Sequence, residues 1–181
     1  YTTTLSQNYD EKNKKLEVLY VEKGDYPFGT KEIIQFDAEE KELSKEKFKY
    51  NISTGNWNKD YKSVTTYEKN KKIEETYMAE ENKWTEYMKY EKENTNDSET
   101  YIIYNFKNKK WNPSTKTYTL LNKNKKDNII ELYTWNKNKQ KWELESKSIY
   151  TYNQEGELEE TVIYKKEDNW VAKQKLKYYT D

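Results

Sequence analysis

The segment WNKNKQKW, from Trp135 to Trp142, places two aromatic residues seven positions apart on either side of a polar run. The same arrangement, an aromatic residue, six residues and a tryptophan, occurs three more times along the chain. Those copies run from Tyr50 to Trp57, from Tyr77 to Trp84 and from Tyr104 to Trp111. The enclosed runs carry asparagine, glycine and lysine, and asparagine and glycine tolerate the positive φ of tight turns. Each segment therefore predicts a β-hairpin whose flanking aromatic residues face each other across the two strands.

The tryptophans that close these segments recur with a regular spacing. Trp57, Trp84, Trp111, Trp142 and Trp170 follow one another at intervals of 27, 27, 31 and 28 residues. In the last copy Ile163 takes the place of the leading aromatic residue. Such a spacing is typical of an array built from one supersecondary unit.

A second motif alternates with the first and consists of an aromatic residue, a polar run and then leucine or isoleucine. Its copies span Tyr9 to Leu16, Phe36 to Leu43, Tyr67 to Ile73 and Tyr152 to Leu158. We interpret these as hairpin loops on the opposite edge of the same sheet, so that one repeat contains two strands and two turns. The segment Glu39 to Tyr50 has local helical propensity, but its neighbours repeat as strands and favour a strand there too.

The two motifs together predict an all-β fold, an antiparallel up-and-down meander of about 10–12 strands. An open twisted sheet is our first expectation, because the alternating strands show no consistently apolar face; a closed barrel is the second. The repeat runs nearly end to end and indicates a single domain over residues 1–181. The stretch from Lys23 to Thr30, rich in glycine and proline, predicts an irregular connection.

The composition indicates a folded chain with few aliphatic residues. Charged residues make up 36% of the sequence and hydrophobic residues only 33%, with a mean hydropathy of −1.42. Such values are typical of disorder, yet the chain holds 6 Trp, 19 Tyr and 4 Phe. Since aromatic side chains bury large areas, we expect a thin core built mainly from rings.

The charge balance and the missing residue types exclude several classes of function. The 33 basic residues are all lysine and are matched by 33 acidic ones, so nucleic acid is not an expected partner. Histidine and cysteine are absent, which removes Ser–His catalysis, thiol chemistry and the usual zinc ligands. We therefore predict no cofactor, no metal and no catalytic residues. No apolar run approaches the length of a transmembrane segment.

The second motif resembles tyrosine–aspartate (YD) repeats, with YNQEGEL (Tyr152 to Leu158) as its nearest copy. Combined with the tryptophan hairpins, the chain is similar to Trp/Tyr hairpin-repeat proteins exported by Bacteroidetes-like bacteria. The chain departs from the YD pattern, because Gly156 is the one glycine found at the turn position where that pattern has glycine. The resemblance implies an extracytoplasmic β-array without known catalytic residues. A start at Tyr1 instead of Met suggests that a leader or a tag has been removed.

From these features we predict a non-catalytic exported interaction or structural module whose partner is a protein or polysaccharide surface. The alternative is a carbohydrate-binding module in which repeated rings form a ligand platform. The candidate platform residues are Trp57, Trp84, Trp111, Trp135 and Trp142. Within this set the Trp135–Trp142 pair departs from the Tyr–Trp pattern and is the first place to examine.

Overall fold

The computed structural model describes residues 2–24, 27–166 and 169–179, and these form an all-β, antiparallel meander. Thirteen strands follow one another in chain order in the sheet, which is more than the 10–12 expected. No described pairing joins the first strand to the last, so the sheet is open. The described residues contain no helix with the length and hydropathy needed to cross a bilayer.

The chain divides into two compact units, and we describe each by itself. The first comprises residues 1–67 and 73–89, and the second comprises residues 68–72 and 90–181. Six strands begin in the first unit, and they are β1 (Thr2–Asp10), β2 (Lys15–Lys23), β3 (Phe28–Phe36), β4 (Glu42–Asn51), β5 (Asn56–Tyr67) and β7 (Lys83–Asn94). Strand β6 (Lys71–Glu80) begins in the second unit and continues into the first. The remaining strands, all in the second unit, are β8 (Ser98–Lys107), β9 (Lys110–Leu121), β10 (Asp127–Asn136), β11 (Lys141–Tyr152), β12 (Leu158–Lys166) and β13 (Trp170–Lys177).

Two local expectations concern the first unit. The segment Glu39 to Tyr50 enters strand β4 and is not helical, as its neighbours indicated. The expected irregular connection is shorter than predicted, because β2 continues to Lys23 and β3 already begins at Phe28. Its residues Asp25 and Tyr26 lie outside the described part of the chain.

Two of the tryptophan hairpins pair their aromatic residues as predicted. Tyr50 lies opposite Trp57 and Trp135 lies opposite Trp142, with ring centroids 5.3 and 5.1 Å apart. In both hairpins four residues form the loop between the strand ends. A spacing of seven then brings the two aromatic residues into register, one position inside each strand end.

In the hairpin of β8 and β9 the predicted pairing is wrong. Phe106, and not Tyr104, lies opposite Trp111, with ring centroids 5.0 Å apart. The loop here has only two residues, Asn108 and Lys109, with φ of 56° and 58°. Such a type I′ turn brings into register residues that are five positions apart, so Tyr104 moves on to face Pro113.

The hairpin of β6 and β7 has the same short loop. Glu81 and Asn82 form it with φ of 48° and 60°. Because a two-residue turn pairs residues five positions apart, it places Ala79 opposite Trp84. Tyr77 is therefore not expected to be the partner of Trp84. Trp84 instead has its ring 6.5 Å from that of Phe48.

Two loops of the second motif, those after Phe36 and Tyr152, have the same turn geometry as the loop after Leu121. In these three loops the first residue accepts, through its Oδ1, a bond from the backbone N–H four positions on, at 2.8, 3.1 and 2.8 Å. Those residues are Asp37, Asn122 and Asn153. The fourth position adopts a positive φ of 62°, 60° or 83° and is occupied by Glu40, Lys125 or Gly156. The Asp or Asn that begins each of these three loops therefore has a structural role.

The positive φ at Glu40 leads to a stability prediction. A non-glycine residue in the left-handed region costs about 1–2 kcal/mol, whereas glycine adopts it readily. We therefore expect Glu40→Gly to raise the free energy of unfolding by about 1 kcal/mol, measured by urea denaturation. Glu39→Gly is the matched control, since Glu39 precedes the position with positive φ and should give no gain. Equal effects of both changes would contradict this account.

The rings cover the strands without forming a fully buried core. Among the described residues no hydrophobic side chain is buried; the buried polar residues are the short hydroxyl residues Ser63, Thr65, Thr76, Ser98 and Thr161. This corrects the expected core of buried rings, because most of the rings are half-buried. Longer neighbours along and across the strands shield the short residues between them.

Cross-strand Lys–Glu pairs lie on the surface of the sheet. Lys45 contacts Glu32 at 2.9 Å in the first unit, and Lys175 contacts Glu160 at 2.9 Å in the second. Glu75 instead accepts a bond from the Tyr77 hydroxyl at 3.0 Å. Because the groups in these ion pairs are partly exposed, each pair contributes about 0–1 kcal/mol to stability.

Candidate ligand-binding cleft

A cleft opens in the second unit where the pairing of β9 with β10 ends. The last pair of this ladder is Thr115 with Thr134, although both strands continue beyond it. On β9 the next residues are Ser114, which lies at a register shift relative to β8, and Pro113, which has no N–H to donate. The β8–β9 hairpin and the β10–β11 hairpin are therefore not joined at their tips.

The cleft between these tips has a volume of about 390 Å³. It is lined by Asn105, Lys107, Asn108, Lys110, Asn112, Pro113, Ser114, Trp135 and Lys137. An adjoining depression of about 300 Å³ shares Lys110, Asn112, Pro113, Trp135 and Lys137, and adds Trp111 and Gln140. Trp135 thus contributes to both spaces, together with amide and ammonium groups.

The Trp135 ring is held from the β11 side. Trp142 meets it edge to face at an interplanar angle of 72°. Lys116 places its Nζ 3.9 Å from the centre of the Tyr133 ring and 5.7 Å from that of Trp142. These contacts order the neighbours of Trp135 and leave it half-buried at the cleft wall.

Amide side chains stabilise both hairpin tips. Asn112 donates through Nδ2 to the backbone oxygens of Lys107 and Lys110, at 3.0 and 2.8 Å. Asn136 accepts bonds from the backbone N–H groups of Asn138 and Lys139, both at 3.0 Å. The two walls of the cleft are consequently built on closed turns.

Two titratable groups on β10 and β11 have shifted pKa values. Hydrogen bonds from Asn136 and Lys139, both 2.9 Å long, lower the pKa of Glu143. Burial, followed by a hydrogen bond to Glu131, raises the pKa of Tyr133 to about 12. Within the described part of the chain no group of three His, Cys, Asp or Glu residues is arranged to hold a metal ion.

The other tryptophans predicted as platform residues pack against neighbouring residues of their own unit. Trp57 covers Gly29 in the first unit, where a Cβ on that glycine would come 2.9 Å from Cη2 of the ring. Trp84 has the Lys59 Nζ 5.2 Å from its ring centre, and Trp111 packs against Phe106. All five predicted rings are half-buried, whereas Trp170 is exposed. The structure brings Trp111, Trp135 and Trp142 together in the second unit and places Trp57 and Trp84 in the first.

Sequence reasoning missed the polar residues that line the cleft. Lys107, Lys110 and Lys137 are the main ones, with Asn105 and Asn112 between them. One signal pointed to Lys107 and Lys110 but not to Lys137, because the chain contains no acidic residue from position 100 to position 126 but seven lysines. The approach of the two tips depends on where β9 and β10 stop pairing, which the sequence does not reveal.

Comparison with known proteins shows little beyond this geometry. No family model matches the chain, and no curated protein matches it. The chain is similar to a crystal structure of a protein with unknown function from Bacteroides fragilis NCTC 9343, with a TM-score of 0.36 and 17% identity. The match covers 81% of this chain and 91% of that one.

Proposed function

We propose that the chain is a non-catalytic binding module and that the cleft at Trp135 receives a carbohydrate chain. The observation that carries the proposal is the open space between two hairpin tips, with an indole ring and several side-chain amides around it. Sugar rings offer apolar faces and hydroxyl groups, and these match an aromatic surface and amide donors and acceptors. An extracytoplasmic location, implied by the resemblance to exported repeat proteins, would place the cleft among polysaccharides.

The contacts of the other tryptophans support a division of roles. Trp57 and Trp84 pack on Gly29 and Phe48, so their rings shield the strands of the first unit. Trp135 borders a space large enough for a sugar ring. A single cleft, and not a row of platforms, is therefore the proposed ligand site.

The test compares Trp135 with a tryptophan outside the cleft. Removing an aromatic anchor from a binding site costs about 2 kcal/mol or more, so we expect Trp135→Ala to weaken glycan affinity by at least ~10-fold. The measurement is electrophoretic retardation in gels containing a panel of neutral and acidic polysaccharides. Trp84→Ala is the control and should keep the affinity of the unmodified protein.

Melting curves of both variants establish that they fold. If no polysaccharide retards the unmodified protein, the proposed function is wrong. If Trp135→Ala is folded and binds as tightly as the unmodified protein, the ligand does not occupy this cleft.

A further inference from the structure

The charge of the cleft differs from that of the whole chain. The protein has a formal net charge of zero, with lysine and acidic residues in equal number. The lining of the cleft contains Lys107, Lys110 and Lys137 and no aspartate or glutamate. A local excess of positive charge therefore lies beside Trp135 in a protein whose charges cancel only over the whole chain.

The three ammonium groups are also available to a ligand. Elsewhere in the second unit lysines pair with carboxylates, as Lys71 does with Glu91 and Lys147 with Glu131, at 2.9 and 3.5 Å. The side chains of the three cleft lysines are exposed and form no ion pair in the described part of the chain. For Lys107 and Lys110 this agrees with the sequence, because the stretch from position 100 to position 126 contains no acidic residue.

We propose that the cleft binds an acidic polysaccharide, whose carboxylate or sulfate groups contact Lys107, Lys110 and Lys137 while one sugar ring lies against Trp135. This inference rests on the proposed function and adds the chemical class of the ligand. A sugar chain fits better than a nucleic acid, because the protein lacks arginine and its formal net charge is zero. Side-chain amides of Asn105 and Asn108 on the same wall suit hydroxyl groups.

The first experiment uses the unmodified protein and two ligands with the same backbone. Short oligomers of galacturonic acid are compared with their methyl esters by isothermal titration calorimetry, since esterification removes the charge and keeps the sugar. Three exposed ion pairs correspond to about a 10-fold change in affinity, so the ester should bind about tenfold more weakly. Affinity for the acid should fall as salt rises. Dextran sulfate against dextran repeats the comparison for sulfate and identifies which anion the cleft prefers.

The second experiment changes the protein. Lys107→Gln, Lys110→Gln and Lys137→Gln together should weaken binding of the acid about tenfold and leave binding of the ester unchanged. The matched control replaces three exposed lysines outside the cleft with glutamine and should keep the original affinity. Those control positions are Lys12, Lys69 and Lys123.

The outcomes separate this inference from the proposed function. Equal affinity for the acid and its ester would overturn the acidic ligand while leaving a carbohydrate site in place. Equal loss in the cleft and control variants would overturn it too, and so would single-stranded DNA binding as tightly as the acid. If no polysaccharide, charged or neutral, binds the unmodified protein, the proposed function fails as well.

Discussion

Replacing Gly29 with valine is expected to destabilise the first unit by about 2–3 kcal/mol. Gly29 is buried in β3, and a Cβ built there would lie 2.9 Å from the Trp57 ring and 3.1 Å from the Tyr50 Cβ. The Tyr50 atom cannot move without displacing β4, and the ring can move only by giving up its contact with Tyr50. Valine improves strand propensity by at most about 1 kcal/mol, so the steric effect dominates. Urea denaturation followed by tryptophan fluorescence measures the change.

A double-mutant cycle separates the contact with Trp57 from a general effect of valine in the strand. Trp57→Ala alone should cost about 2 kcal/mol through lost ring burial. In the Gly29→Val/Trp57→Ala variant the valine should occupy space that the ring has left. The double variant should therefore lose less stability than the sum of the losses in the two single variants. Thr30→Val places the same residue at the neighbouring position as a control. Full additivity, or an unchanged midpoint for Gly29→Val, would show that Trp57 does not pack on this glycine.

Alkaline pH is the second condition with a large expected effect. Burial raises the pKa of Tyr77 and Tyr133 from 10.0 to about 12, and a hydrogen bond from each phenol to a glutamate is the second cause. Burial and the charge of Glu91 raise the pKa of Tyr104 to about 12. Between pH 10 and pH 12 the folded protein therefore holds protons that the unfolded chain has released. Stability must fall across this window, because unfolding then releases protons.

The size of the alkaline effect follows from the number of groups. A shift of two pKa units corresponds to about 2.7 kcal/mol per group, which solvent screening of these half-buried phenols reduces to about 1 kcal/mol each. We expect a loss of about 3 kcal/mol from the three tyrosines, on top of the loss of lysine charge. Thermal unfolding at pH 9 through pH 12 measures it.

Phenylalanine substitutions identify the source of that loss. A variant with Tyr77→Phe, Tyr104→Phe and Tyr133→Phe should lose less stability between pH 10 and pH 12 than the unmodified protein does. Tyr87→Phe removes a hydroxyl from a residue that is 53% exposed and controls for loss of a phenol. If the triple variant and the unmodified protein lose stability in parallel, these tyrosines do not carry the alkaline transition.

The hairpin pairings show how far spacing alone can go. A spacing of seven correctly paired Tyr50 with Trp57 because the loop between them has four residues. It failed for Tyr104 because the KNKK segment before Trp111 closes in a two-residue turn. Phe106, five positions before Trp111, was the available signal. Asparagine and lysine suit both kinds of loop, so composition could not distinguish them.

The sequence by itself determined the repeat, the antiparallel meander and the two edges on which its turns lie. It did so because strand alternation and turn residues are local properties, which each hairpin expresses independently of the others. Only the tertiary structure decided the strand pairings, the half-buried state of the rings and the cleft at Trp135. The strand pairings depend on the length of each loop, and the cleft depends on where one hairpin stops pairing with the next. That point is determined by a register shift at Ser114 and a missing donor at Pro113, whose effect appears only beside β10.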